Sequence, residues 1–174
     1  MRLEGGRILE IGPWGECSNQ SEAEDLGEVI LMPGLVNAHC HLNYTDFVGA
    51  IPPTSSFTEW VRAIVDLKAD VDNAAHQASW LRGAQQCLNH GITTLGNIET
   101  RRDLLPDLWL QTPLRMVSFL EIILFHPEGD VEQELKELQT WIREDTPPRV
   151  CAGLSPYAPY TTKYGSLEAC AGFR

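Results

Sequence analysis

The feature that most constrains this chain is a change of rhythm at Pro33-Gly34. Beyond it, short β-rich apolar runs alternate with stretches patterned as helices. Residues 35–41 read as a strand, and residues 57–68 and 73–90 as helices. The second helix carries Ala74, Ala78, Leu81, Ala84 and Leu88 along one face and stops at Gly91. Ile92-Thr93-Thr94-Leu95-Gly96 is a β-branched strand, and residues 115–125 are another. Asp130, with Gln133 as its capping-box partner, opens a helix whose apolar stripe is Val131, Leu135, Leu138 and Ile142. Residues 149–155 make a fourth strand, and residues 162–171 begin a further helix. A helix between two strands carries the chain back over the sheet, so the next strand starts at the same end and pairs in parallel. Four parallel strands in sequential order, covered on one face by helices, are therefore expected.

A closed eight-stranded (β/α) barrel takes about 250 residues, so residues 33–174 supply roughly the first half of one. Residues 1–32 have a different character. Residues 7–11 read as a short strand closed by Gly12-Pro13, residues 28–32 as a second, and the stretch around 18–25 as an acidic loop. The chain is thus expected to divide into a small β segment, 1–32, and an α/β half-barrel, 33–174. Of its 174 residues 43% are apolar and 21% charged, as in a soluble globular protein. The net charge of −11, with no Lys/Arg cluster, repels phosphate backbones and anionic bilayers, which excludes nucleic acid and membrane as partners. The most apolar run, residues 116–125, contains Glu121 and is too short to span a bilayer. Five cysteines without C-x-x-C spacing suit buried thiols in a reducing compartment, and no basic segment leads into an apolar one, so the expected location is cytoplasmic.

Chemistry concentrates in Pro33-Gly34-Leu35-Val36-Asn37-Ala38-His39-Cys40-His41-Leu42. Strict strand alternation points Leu35, Asn37, His39 and His41 one way, and the small apolar Val36, Ala38 and Cys40 toward covering helices. Two imidazoles two residues apart, at the strand end where barrel active sites lie, converge on one point and suit a divalent metal. A bare H-x-H is more often a pair of polar residues at a strand end. Here it follows Pro-Gly, ends a buried strand and opens a β/α series, so metal ligation by His39 and His41 is the stronger reading. Glu121, late on the third strand, either contacts substrate at the barrel mouth or pairs with Arg115, with the structural pairing preferred. His126 reads as a solvent-facing loop residue on the same rim, His76 and His90 as helical residues without chemistry, and Trp60, Trp80, Trp109 and Trp141 as packing. No G-x-S-x-G, Walker A or G-x-G-x-x-G pattern occurs.

The Pro33-to-Leu42 segment resembles the first-strand signature of the amidohydrolase superfamily, in the branch holding guanine, cytosine and methylthioadenosine/S-adenosylhomocysteine deaminases and triazine hydrolases. Gly91-Ile92-Thr93-Thr94 is similar to that branch's second-strand motif, and Gly153-Leu154-Ser155-Pro156-Tyr157-Ala158-Pro159-Tyr160-Thr161 to its fourth. The resemblance implies a metallo-dependent hydrolase (β/α)₈ barrel with a small β-sandwich built from both chain ends. It also implies one divalent metal, zinc rather than iron, held by the two strand-one histidines, a strand-five histidine and a strand-eight aspartate. The metal lowers the pKa of a bound water, and a glutamate near the strand-five histidine shuttles protons. Of these groups the chain offers His39 and His41. Where the fourth motif usually has a substrate-contacting histidine it has Tyr157, which becomes a substrate-binding candidate beside Glu121. None of Lys68, Lys136 and Lys163 ends an expected strand, so a lysine-bridged two-metal centre is not expected. The implied function is hydrolysis of a non-peptide C–N bond, deaminating a small purine, pyrimidine or triazine-like heterocycle. The chain itself is then a truncated, inactive fragment prone to form homo-oligomers. The alternative is a non-catalytic half-barrel that associates with another chain; a phosphoesterase is disfavoured by the Ser155–Thr161 segment.

Overall fold

The computed structural model describes residues 1–16, 20–123, 131–147, 149–162 and 166–171. The chain forms two compact units, Met1–Pro33 and Gly34–Arg174. In the first, strands β1 (Arg2–Glu4) and β2 (Arg7–Glu10) make an antiparallel hairpin. Its turn is Gly5-Gly6, with φ of +55° and +76°, a backbone that matches the twist of the strands and that side chains resist. β1 is absent from the sequence reading, and the strand expected over residues 28–32 does not form; Ile30 there is 92% exposed. A strand persists where a neighbour completes its ladder, and among the described residues of this unit only β1 and β2 pair. The acidic stretch holds two 3₁₀ turns, Trp14–Glu16 and Gln20–Glu22.

The second unit is a four-stranded parallel sheet in the order β3 (Leu35–Cys40), β4 (Ile92–Glu99), β5 (Arg115–Ile122), β6 (Val150–Pro156). Sequential parallel strands with helical crossovers are the front of a (β/α)₈ barrel, as expected. Helices α1 (Phe57–Ala69) and α2 (Asn73–Asn89) follow β3. Ser56 and Asp72 cap them, accepting from the amides of Glu59 at 3.2 Å and Ala75 at 2.8 Å. Gly91, at φ +78°, ends α2 as its position predicts. β4 runs past Gly96 to Glu99, three residues beyond the expected end. The short helix α3 (Leu105–Leu110), not anticipated, seats Trp109 over the sheet. Asp130, the expected cap of α4 (Val131–Asp145), and His126 lie outside the described residues. The helix expected from residue 162 is confined to α5 (Ser166–Ala171).

β5 alternates cleanly: Met116, Ser118, Leu120 and Ile122 are buried under the helices, while Arg115, Val117, Phe119 and Glu121 face away. Trp80, Trp109, Leu95, Leu105 and Leu108 fill the same layer, with Leu135 and Leu138 of α4. Burying a Trp side chain removes roughly 150–250 Å² from water, which stabilises by about 4–6 kcal/mol each. The buried face of α2 is His76, Ser79, Trp80, Gly83 and Ala84, and Ala74 is exposed, so the face is rotated from the expected alanine-leucine stripe. The closest approach requires small residues rather than apolar ones. A Cβ on Gly83 would collide with the Thr45 hydroxyl and lie 3.0 Å from a Leu42 methyl.

Candidate metal centre

His39 and His41 stand at the C-terminal end of β3, where the strand gives way to a 3₁₀ segment, Leu42–Phe47. Their rings lie 5.2 Å apart between centroids, edge to face. The ladder is irregular just before them. Between Asn37 and Cys40 three steps of β3 match two of β4, Leu95 to Asn97, so one residue is inserted. Asn37 and Cys40 are consequently the half-buried residues of the strand's end, and Asn37 Oδ1 accepts from the His39 amide at 3.2 Å. Cys40 packs into the helix layer beside Cys87, and burial pushes its thiol up to about 11; Val36 and Ala38, expected under helices, are exposed.

The segment after His41 is clamped from two sides. Asn97 of β4 accepts from the Leu42 amide at 2.9 Å. Ser79 of α2 donates to Asn43 O at 3.1 Å and accepts from the Asp46 amide at 3.2 Å, and Arg82 pairs with Asp46. Tyr44 then stacks on His41, 5.0 Å between centroids and 5° from parallel, with Phe47 beyond it. Lys68, from the last turn of α1, donates to Tyr44 Oη at 3.0 Å. Desolvation lowers the His41 pKa below that of a free imidazole, and the neighbouring His39 and Lys68 push the same way. A neutral imidazole is the form that ligates metal. His41 Nδ1 is buried without a hydrogen-bond partner, an orphan acceptor or donor that an ion would satisfy. Two imidazoles fit part of a metal's ligand set. No group of three His, Cys, Asp or Glu side chains suited to an ion occurs among the described residues.

Glu121 lies on the helix-free face of β5, half-buried, and desolvation raises its pKa while Lys68 opposes the rise. The preferred pairing with Arg115 is not made. The two sit six residues apart on one extended strand, about 20 Å. Tyr157 follows β6, is 41% exposed, donates its amide to Ile122 O at 3.0 Å and meets Tyr160 edge-on. Burial and Tyr160 raise its phenol pKa, with Glu121 and Tyr44 adding to the effect. His39 and His41 are thus brought into contact. Glu121 and Tyr157 share the strand-end rim with them without a hydrogen bond or ring contact to either among the described residues.

Sequence reading missed the tightest polar cluster. Glu99, 2% exposed at the end of β4, accepts from Trp80 Nε1 at 3.2 Å and from Ser118 Oγ at 3.3 Å, and Ser118 accepts from Trp109 Nε1 at 3.0 Å. Burial lifts its carboxyl to about 7, against the hydrogen bonds of Asn97, Trp80 and Ser118. These partners sit on the helix side, so Glu99 belongs to the core rather than to the mouth. Lys68 and Tyr44 were missed as well. Tyr44 alone had a signal, lying one 3₁₀ turn beyond His41.

Four sequential parallel strands with an imidazole pair at one strand end have the architecture of the front of a (β/α)₈ barrel. Residues 30–172 match the amidohydrolase family, and the chain belongs to it; members of this family generally bind a divalent metal. It is 28% identical to the 5'-deoxyadenosine deaminase of Methanococcus vannielii over 96% of this chain and 41% of that protein. It is 27% identical to the 5-methylthioadenosine/S-adenosylhomocysteine deaminase of Symbiobacterium thermophilum, over 97% and 40%. Among solved structures it is similar to Helicobacter pylori aminofutalosine deaminase in complex with methylthio-coformycin. There the TM-score is 0.60 at 20% identity, covering 79% of this chain and 33% of the other. The chain spans about two fifths of the length of the curated relatives it matches.

Proposed function

We propose that this chain is the metal-binding front of a C–N hydrolase that deaminates a small heterocycle, an adenine nucleoside before a pyrimidine or triazine. The observation that carries the reading is the His39–His41 pair, 5.2 Å apart at a barrel strand end, with a buried, unpartnered Nδ1. His39 and His41 would hold one divalent ion; imidazole donors suit zinc and iron alike, and zinc is the proposed occupant. Such an ion would supply Lewis acidity and lower the pKa of a water. The chain's own residues position it: Asn97 and Ser79 fix the turn after His41, and the Tyr44 ring holds the His41 ring in plane. Glu121 and Tyr157 would meet the substrate from the neighbouring strands. Residues 1–32 are read as a piece of the family's small β-sandwich and 33–174 as the first half of its barrel.

Catalytic zinc takes three protein ligands, and the described residues bring two, so these 174 residues alone are proposed not to turn over substrate. Residual edges support homo-oligomers, since β3 and β6 each pair on one side among the described residues. A cytoplasmic location is supported by four described cysteines that are all free thiols; no helix of the described residues is long and apolar enough to cross a membrane. Zinc titration followed by elemental analysis tests the centre. Uptake should stay below one ion per chain and vanish in His39→Ala and His41→Ala, and uptake undiminished in the double variant overturns the assignment. An ammonia-release assay over 5'-deoxyadenosine, 5'-methylthioadenosine, guanine, cytosine and triazines, with zinc or iron added, should be silent. Activity that His41→Ala abolishes would show that the chain completes its own site.

A further inference from the structure

A second polar site lies one ring away from the imidazole pair. Asn43, just after β3, Thr100 and Arg101, just after β4, Lys68 at the end of α1 and His76 in the first turns of α2 enclose a cavity of about 60 Å³. At 10–15 Å³ per water, that is room for about four to six waters or one tetrahedral oxyanion. Two cations line it and no carboxylate does. Asp103, the acid whose field reaches His76, is engaged by Arg101 Nε at 3.4 Å. Arg101 also reaches Asn73, and Lys68 spends one N–H on Tyr44 Oη, which leaves donors on both. His76 is 7% exposed and Asn43 4%. The His76 ring makes no hydrogen bond among the described residues, and Asn43 Oδ1 is buried without a partner, so a half-turn of that amide offers a further donor. Burial depresses the His76 pKa, and Arg101 and Lys68 depress it further while Asp103 opposes them. Arg101 is paired with Asp103, so the donors left free toward the cavity are the remaining N–H groups of Arg101 and Lys68, beside a buried imidazole.

We propose that this pocket binds an oxyanion, the phosphate of the substrate itself. Only the last clause rests on the deaminase reading. Lys68 bridges the two sites, since Tyr44, which it holds at 3.0 Å, stacks on His41 at 5.0 Å. A heterocycle at the imidazoles with an acidic substituent one phenol ring away spans both. The pocket opens at the C-terminal strand ends, the face that carries barrel active sites.

The test needs neither metal nor turnover. Inorganic phosphate is titrated into the chain while the His76 imidazole resonances are followed by NMR. A saturable shift with a raised His76 pKa is expected, and Lys68→Met and Arg101→Gln should each weaken it by about tenfold or more, with partial recovery in Arg101→Lys. Phosphate should also raise the melting temperature of the unsubstituted chain where chloride at matched ionic strength does not, a readout independent of how the variants fold. Adenosine 5'-monophosphate should displace the phosphate and adenosine should not. No saturable shift, or one that survives both substitutions, overturns the pocket whatever the deaminase assay gives. Phosphate binding that the nucleotide does not displace overturns the substrate-borne source.

Discussion

Glu99 holds a carboxyl in a layer of tryptophan and leucine, and its protonation is coupled to folding. Its pKa is about 7 in the folded chain against about 4.5 unfolded. Between those values the folded state keeps a proton that the unfolded state releases. The group's contribution is therefore most favourable below pH about 4.5 and is lost as pH rises through 7, by up to about 3 kcal/mol. Glu99→Gln keeps an acceptor for Trp80 Nε1 and removes the titration. Urea unfolding from pH 5 to 8 should show a flatter stability profile in the variant; parallel profiles would place the proton elsewhere. No period or motif in the sequence marks this residue. It follows Gly96 and Asn97, weak strand formers at which the apolar run had seemed to end. The approach of the two imidazoles was legible from their spacing at the end of a strand, and so was Cys40's turn into the core. Lys68 and Tyr44 were not, because their meeting depends on where α1 ends relative to β3, a long-range fact that local pattern does not carry.

At the scale of elements, strand order and parallel pairing were readable because each strand is a short, largely apolar run separated from the next by a stretch of helical patterning. β1 escaped notice because it is three residues long, and α3 because it is six. The rotated face of α2 and the bulge in β3 were illegible for a common reason: both follow from how closely two backbones approach. Gly96 shows how tight that approach is. A Cβ there would lie 2.5 Å from the carbonyl oxygen of Ala38 on β3, and backbone cannot swing aside as a side chain can. Gly96→Ala should cost about 2–3 kcal/mol and weaken zinc uptake without touching either imidazole. Gly153→Ala is the control, since its Cβ would rest 3.7 Å from the Phe119 ring, an ordinary contact. Thermal melts with zinc titration separate the two, and equal losses would remove the bulge from the argument. Asp72→Ala, which strips the α2 cap, should cost about 1 kcal/mol in the same melts.

At the scale of the whole molecule, a net charge of −11 works against the association that the open sheet edges invite. Salt screens the repulsion over about 10 Å at 0.1 M and leaves apolar contact intact. Light scattering should therefore report a larger mean mass as sodium chloride rises from low to about 0.3 M; dissociation with salt would mean that ion pairs hold the oligomer. The edges also set a clock on the imidazole site. Among the described residues β4 and β5 are bonded on both sides, whereas β3, with His39, and β6, which leads into Tyr157, are bonded on one. In deuterated water the amides around Ser118 should persist while those of β3 and the end of β6 are replaced early, because edge strands open without the sheet unfolding. The site's two flanks would then breathe faster than the wall between them, so a ligand spanning from His39 to Tyr157 would be read as slowed isotope exchange at the margins and none at the centre.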